Sequence, residues 1–249
     1  MRYFFEIAYD GTNYHGWQKQ QNAVSIQQVI EEKLALLQNG DKIPITGCGR
    51  TDTGVHARQF FFHADVEFSN LKKLIFQLNN MLPFDICILN IIKVEDSAHA
   101  RFDASRRTYK YYLHTKKNPF IDRFSLYQNK SINIATMNKA CEFFLGDHDF
   151  TSFSKLHTDV KTNLCSISSI SWTAVDKERI VFEITANRFL RNMVRAIVGT
   201  MLEIGAGKSA PESIVDIIDA KDRSLAGFSV AAHALFLEKV SYPFINSNS

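Results

Sequence analysis

Aromatic and β-branched residues crowd positions 2–10 until Asp10-Gly11 interrupts them, a pattern that predicts a strand running into a turn. Ser25 precedes Ile26, Val29, Ile30, Leu34 and Leu37 at helical spacing, and Asn39-Gly40 follows, so a helix capped by Ser25 is expected there. Strands are predicted at 43–48 and 59–68, a helix over 71–81 halted by Pro83, and a strand at 86–94. The second half repeats the style with a strand at 108–115 and a helix over 136–145 that turns Met137, Ala140, Cys141 and Phe144 inward. A hairpin of 166–175 and 179–186 is expected around Asp176-Lys177, then a long helix over 189–204 and a shorter one over 211–220 with Pro211 in its first turn. A strand at 235–240 closes the chain, and the polar tail 245–249 is expected to fray. Strands in clusters with helices between them predict an α+β fold of two similarly built halves, 1–105 and 106–249, although no internal repeat links them.

The 249 residues suffice for a sizeable core, and 45% hydrophobic with 22% charged residues is ordinary for a globular protein. A net charge of +3 is too small to diagnose a polyanion partner, so local distribution carries that question. Cys48, Cys87, Cys141 and Cys165 form no CxxC pair, which favours reduced thiols in a cytoplasmic protein. The first ten residues lack a signal-peptide core, and no stretch has the length of a membrane span. His56 and His63 lack zinc-protease spacing, so no catalytic metal is expected. Gly205-Ala206-Gly207-Lys208-Ser209 imitates the end of a phosphate loop, but Leu202 stands where its first glycine is required, and nucleotide binding is rejected.

Gly49-Arg50-Thr51-Asp52-Thr53-Gly54-Val55-His56-Ala57 lies between two expected strands, in a loop on a rigid support. Its Asp52 is either a presented carboxylate or a turn residue capping backbone N–H groups. Tyr9-Asp10-Gly11-Thr12-Asn13-Tyr14-His15-Gly16-Trp17-Gln18 combines two glycines with three aromatics, which suit base stacking if exposed and core filling if folded back. Arg101, Arg106, Arg107, Lys110, Lys116 and Lys117 interleave with Phe102, Tyr109, Tyr111 and Tyr112; such a strand grips phosphates and stacks bases, or is a solvated edge guarded by charge. Arg188, Arg191 and Arg195 form another basic group, with 191 and 195 spaced to share a helix face. Cations early in a helix oppose its dipole, so either an anion such as phosphate or carboxylate, or surface acids, should compensate them.

In order along the chain, these segments resemble the TruA family of tRNA pseudouridine synthases. GRTDTGVHA (49–57) is similar to the family's catalytic loop, YDGTNYHGWQ (9–18) to its N-terminal signature, and Ser25-Ile26-Gln27 to the start of its first helix. LNNMLPFDI (78–86), HARFDA (99–104), FTSF (150–153) and RFLRNMVRAIVG (188–199) continue the match. Thr53 replaces the usual alanine and Arg188 a common glycine, while 154–163 follows the pattern only loosely and is given no role. The resemblance implies two α+β halves around a continuous antiparallel sheet with helices on one side and an active-site cleft between the halves. It implies a cytoplasmic homodimer that binds tRNA, needs no cofactor or membrane, and modifies uridines 38, 39 and 40 of the anticodon stem-loop. By position it makes Asp52 the catalytic aspartate, Tyr109 the tyrosine meeting the target base and Arg195 the arginine pairing with the aspartate; Arg50 is a second candidate for that charge, or a phosphate contact.

Two other functions fit parts of this pattern. A glycoside hydrolase shares the cleavage at C1′ but ordinarily needs two carboxylates, and the nearest second acid to Asp52 along the chain is Asp41, eleven residues away. A non-catalytic RNA-binding module would use the same basic, aromatic strand.

Overall fold

The structure, a computed structural model, describes residues 1–38, 40–155 and 161–245. The chain forms two compact units, Met1–Ser105 with Leu237–Ser249, and Arg106–Phe236.

The first unit contains β1 (Arg2–Tyr9), α1 (Ile26–Leu37), β2 (Thr46–Gly47), β3 (His56–Asp65), α2 (Leu71–Met81) and β4 (Ile86–Lys93). β1 lies between β3 and β4, antiparallel to both. Phe4 and Phe5 in β1 and Phe60, Phe61 and Phe62 in β3 are all buried, so apolar side chains fill both faces of these strands. Phe5 stacks on its register partner Phe62 at 4.6 Å, whereas Phe4 and Phe61 meet Tyr242 at 5.1 and 5.3 Å. α1 buries Ile26, Ile30 and Leu34, and the Ser25 hydroxyl caps it by accepting from Gln28 N–H at 3.3 Å. Gly40 N–H returns to Ala35 O at 2.9 Å to close that helix; the Asn39 half of the expected stop lies outside the described residues. α2 has the expected bounds, with Asn70 accepting from Lys73 N–H at 2.9 Å as its cap.

The second unit contains β5 (Arg106–His114), β6 (Leu126–Tyr127), α3 (Ile134–Glu142), β7 (Gly146–Asp149), β8 (Leu164–Ala174), β9 (Arg179–Ala186), α4 (Met193–Gly205) and α5 (Ser213–Ala220). Its strands run in the order β5-β9-β8-β7, antiparallel throughout, with β6 parallel to the end of β5. α4 is buried over nearly its whole length and packs against α3. Asn138 of α3 bonds the main chain of Trp172 through both its amide nitrogen (2.9 Å) and its oxygen (2.8 Å), fixing α3 on β8. β10 (Leu235–Ser241) belongs from Leu237 onward to the first unit, where it lies beside β3.

Several sequence expectations shift. The strand expected at 43–48 is reduced to Thr46–Gly47, because Pro44 cannot donate to a ladder and Ile43 and Ile45 are buried instead as loop anchors. β3 starts at His56 and ends at Asp65, where a run to 68 was expected. α3 starts two residues early at Ile134, because Asn133 supplies the cap by accepting from Thr136 N–H at 3.0 Å. The helix expected from 189 begins only at Met193, since Asn192 has φ 68° and breaks the helical path. Pro211 stands two residues before α5. Of the tail at 245–249, 246–249 lie outside the described residues.

Candidate active site

The loop between β2 and β3 holds Asp52 half-buried between exposed Thr53 and buried Thr51, with Arg50 exposed one residue earlier. Thr51 carries the anchorage. Its hydroxyl bonds the Tyr9 hydroxyl at 2.9 Å in a buried setting, and its carbonyl accepts from Trp17 N–H at 3.4 Å. Beyond Asp52, a turn closes through Val55 N–H to Asp52 O at 3.1 Å, and Gly54, at φ +77°, donates to Tyr14 O at 3.3 Å. The carboxylate therefore rides on a backbone gripped on both sides. Beside the loop is a cavity of ≈ 140 Å³ whose wall includes Trp17, Gln27, Arg50 and Arg101.

The grip comes from the N-terminal segment, and this settles the choice left open for its aromatics. Tyr9, Tyr14 and Trp17 are all buried, so they fill the core and do not form a stacking surface. Trp17 stacks on Phe60 at 4.2 Å, and the Tyr14 hydroxyl donates to Asp85 at 2.5 Å; burial first, and then this bond, raise its pKa. The glycines let this segment reach the Asp52 loop. A Cβ on Gly16, whose φ is +81°, would stand 2.2 Å from Thr51 O, and one on Gly11 would stand 2.1 Å from Val55 O. His56 Nδ1 lies 3.0 Å from both Gly11 N and Asp10 Oδ1. It cannot accept from one and donate to the other through a single lone pair. Asp10 Oδ1 already accepts from Thr12 N–H and hydroxyl, so we assign His56 Nδ1 as the acceptor of Gly11 N–H.

The HARFDA segment is held by two neutral histidines. His63 Nδ1 accepts from Ala100 N–H at 3.1 Å, and His99 Nδ1 from Arg101 N–H at 3.1 Å and Phe102 N–H at 3.3 Å. Burial, then Arg2 and His99, push the His63 pKa down from 6.5 to about 4 against the pull of Asp65 and Asp103; burial lowers His99 as well. The unfolded chain protonates His63 below 6.5 and the folded chain only below about 4. Stability present above pH 6.5 is thus lost as the pH falls through this window, by as much as about 3 kcal/mol. Thermal unfolding should show a lower Tm at pH 5 than at pH 7.5, with a smaller difference in His63→Gln. An undiminished difference in that variant would refute the assignment.

Tyr109 and Arg195 belong to the second unit. Tyr109 is half-buried on β5, its ring meeting Phe189 edge-on at 5.1 Å. Tyr111 on the same strand is fully buried, with its hydroxyl donating to Ala231 O at 2.9 Å, so it is core. Arg195 is the third residue of α4; its Nε donates to Val230 O at 2.7 Å, and its carbonyl accepts from Val230 N–H at 3.2 Å. The shared helix face expected for Arg191 and Arg195 does not form, because Arg191 precedes the Asn192 break.

The basic strand is partly neutralised within its own unit. Lys110 pairs with Glu183 at 3.2 Å, Lys116 with Glu178 at 3.4 Å, and Arg107 donates to Asn187 O at 2.9 Å. Gly205 is the last residue of α4, and Ala206 to Ser209 continue from that helix, whereas a phosphate loop follows a strand. Burial pushes the thiols of Cys141 and Cys165 up to about 12 and about 11, which leaves them protonated near neutral pH. No helix among the described residues is long and apolar enough to cross a membrane.

This half-exposed carboxylate on a braced loop, within an α+β fold, coincides with a family match. The family model for tRNA pseudouridine synthase covers residues 7–103 and 140–243, and the chain belongs to that family of isomerases. Its relatives bear a narrower name. A tRNA pseudouridine synthase A of Parabacteroides distasonis is 50% identical over 97% of this chain and 96% of its own. Proteins of the same name from Bacteroides fragilis and Clostridium acetobutylicum are 48% and 41% identical, over 97% and 95% of this chain and 96% and 97% of theirs.

Proposed function

We propose that this chain converts uridine to pseudouridine at positions 38, 39 and 40 of the tRNA anticodon stem-loop, without a cofactor, as a cytoplasmic homodimer. The observation that carries the reading is Asp52, half-exposed on a loop held by Thr51 on one side and Gly54 on the other. The reaction breaks the N1–C1′ bond, rotates the uracil, joins C5 to C1′, and moves a proton from C5 to N1. Positive character at C1′ calls for a carboxylate, and both covalent attack at C1′ and removal of the C2′ proton use the same one. Arg195 supplies the guanidinium that favours the ionised form of Asp52, with Arg50 as a second cation or a phosphate contact. Tyr109 stacks on the extruded uracil. Extrusion from a stem costs roughly a few kcal/mol, which phosphate contacts offset.

The test is tritium release from tRNA labelled at uridine C5. Turnover supports isomerisation, whereas tRNA binding without release would identify a binding module. Tyr109→Phe is expected to keep at least about a third of kcat if stacking is its role; loss on the order of 100-fold would assign the hydroxyl to proton transfer instead.

A further inference from the structure

We propose that Arg223 is a positioning residue for Arg195, acting through the segment 226–230. The inference rests on the reading that Arg195 takes part in the isomerisation. Residues 226–230 form neither helix nor strand, so their carbonyls need other partners. Guanidinium groups supply three of these. Arg223 Nη1 donates to Ala226 O at 3.1 Å and Gly227 O at 3.0 Å, and Arg195 Nε donates to Val230 O at 2.7 Å. One arginine thus holds the start of the segment, and the segment's end holds the other.

Close packing makes the segment a rigid link between them. A Cβ on Gly199 in α4 would stand 1.7 Å from Phe228 O, so the segment lies directly on the helix backbone. Gly199 is tolerated inside a helix, despite its entropic penalty, because only glycine permits this approach. Gly227 N–H donates to the Thr200 hydroxyl at 2.8 Å, setting the register along α4. The Ser229 hydroxyl accepts from both Arg223 Nη2 (3.0 Å) and Asn192 Nδ2 (2.6 Å), so Arg223 also reaches the residue whose left-handed conformation starts α4. Arg195 lies three residues beyond it. Only a planar fork of donors spans two carbonyls and a hydroxyl; a lysine ammonium keeps the charge but not this geometry.

Arg223→Lys should therefore lower kcat for tritium release by about tenfold to 100-fold, with KM for tRNA changed less than about threefold. Ser229→Ala should lower kcat in the same direction by a smaller factor, and keeps the test available if Arg223→Lys does not fold. Both substitutions are then made in an Arg195→Lys background. If they act through Arg195 they add little there. Unchanged kcat in the single variants, or the same loss in both backgrounds, overturns the proposal. Unchanged kcat in Arg195→Lys alone would instead sink the role given to Arg195.

Discussion

Asp52→Ala is expected to lower tritium release by on the order of 10⁴-fold or more, the scale seen when a central catalytic group is removed. Asp52→Asn should do the same, because it keeps the shape and removes the charge that C1′ requires. The fold should survive both. Four anchors of the loop, through the Thr51 hydroxyl and carbonyl, Gly54 N–H and the turn bond from Val55 N–H to Asp52 O, remain in both variants. Binding should survive as well, since RNA affinity comes largely from cations meeting phosphates, and a carboxylate contributes nothing favourable to that. Filter binding of tRNA beside the release assay separates the two. Release by Asp52→Ala within about tenfold of the unsubstituted chain would remove Asp52 from the chemistry.

How far the sequence could be read depended on whether the signal was local. α2 has the bounds its sequence predicts because helical spacing and a following proline, Pro83, lie within one short window; its Asn70 cap is seen only in the structure. α4 begins later than the pattern predicts because helical spacing runs unbroken across 189–192: Phe189 and Leu190 are apolar and Arg191 falls four residues before Arg195, so periodicity carries no mark of the break. The boundary lies at Asn192, which is left-handed and whose amide donates to Ser229, 37 residues away. Tyr14 and Trp17 were ambiguous for a related reason. Flat side chains beside glycines look the same in sequence whether they face solvent or core, and their partners Asp85 and Phe60 lie far along the chain. The candidate site follows the same rule. Asp52 stands inside a dense motif, but its residue types alone leave it either a presented carboxylate or a turn cap and only the family resemblance gives it a role, whereas the support from Tyr9 and Gly16 is visible only as contacts.

Gly16→Ala is the sharpest test of those supports, with an expected destabilisation of about 3 kcal/mol and a loss of kcat on the order of 100-fold. Two effects combine. An L side chain at φ +81° is strained by about 1–2 kcal/mol, and its Cβ would stand 2.2 Å from Thr51 O and 3.2 Å from Asp52 C. Neither neighbour is a flexible side-chain end, so the backbone of one loop must move, and the one displaced carries the carboxylate. Gly40→Ala isolates the first effect, since Gly40 has φ +96° with no atom within 4 Å of a Cβ. It should lose only about 1–2 kcal/mol and keep its kcat. Comparing Tm and single-turnover rate for the two variants separates backbone strain from displacement of Asp52. A Gly16→Ala protein as stable and as active as Gly40→Ala would mean that the two loops part freely, and that the N-terminal segment does not hold the carboxylate in place.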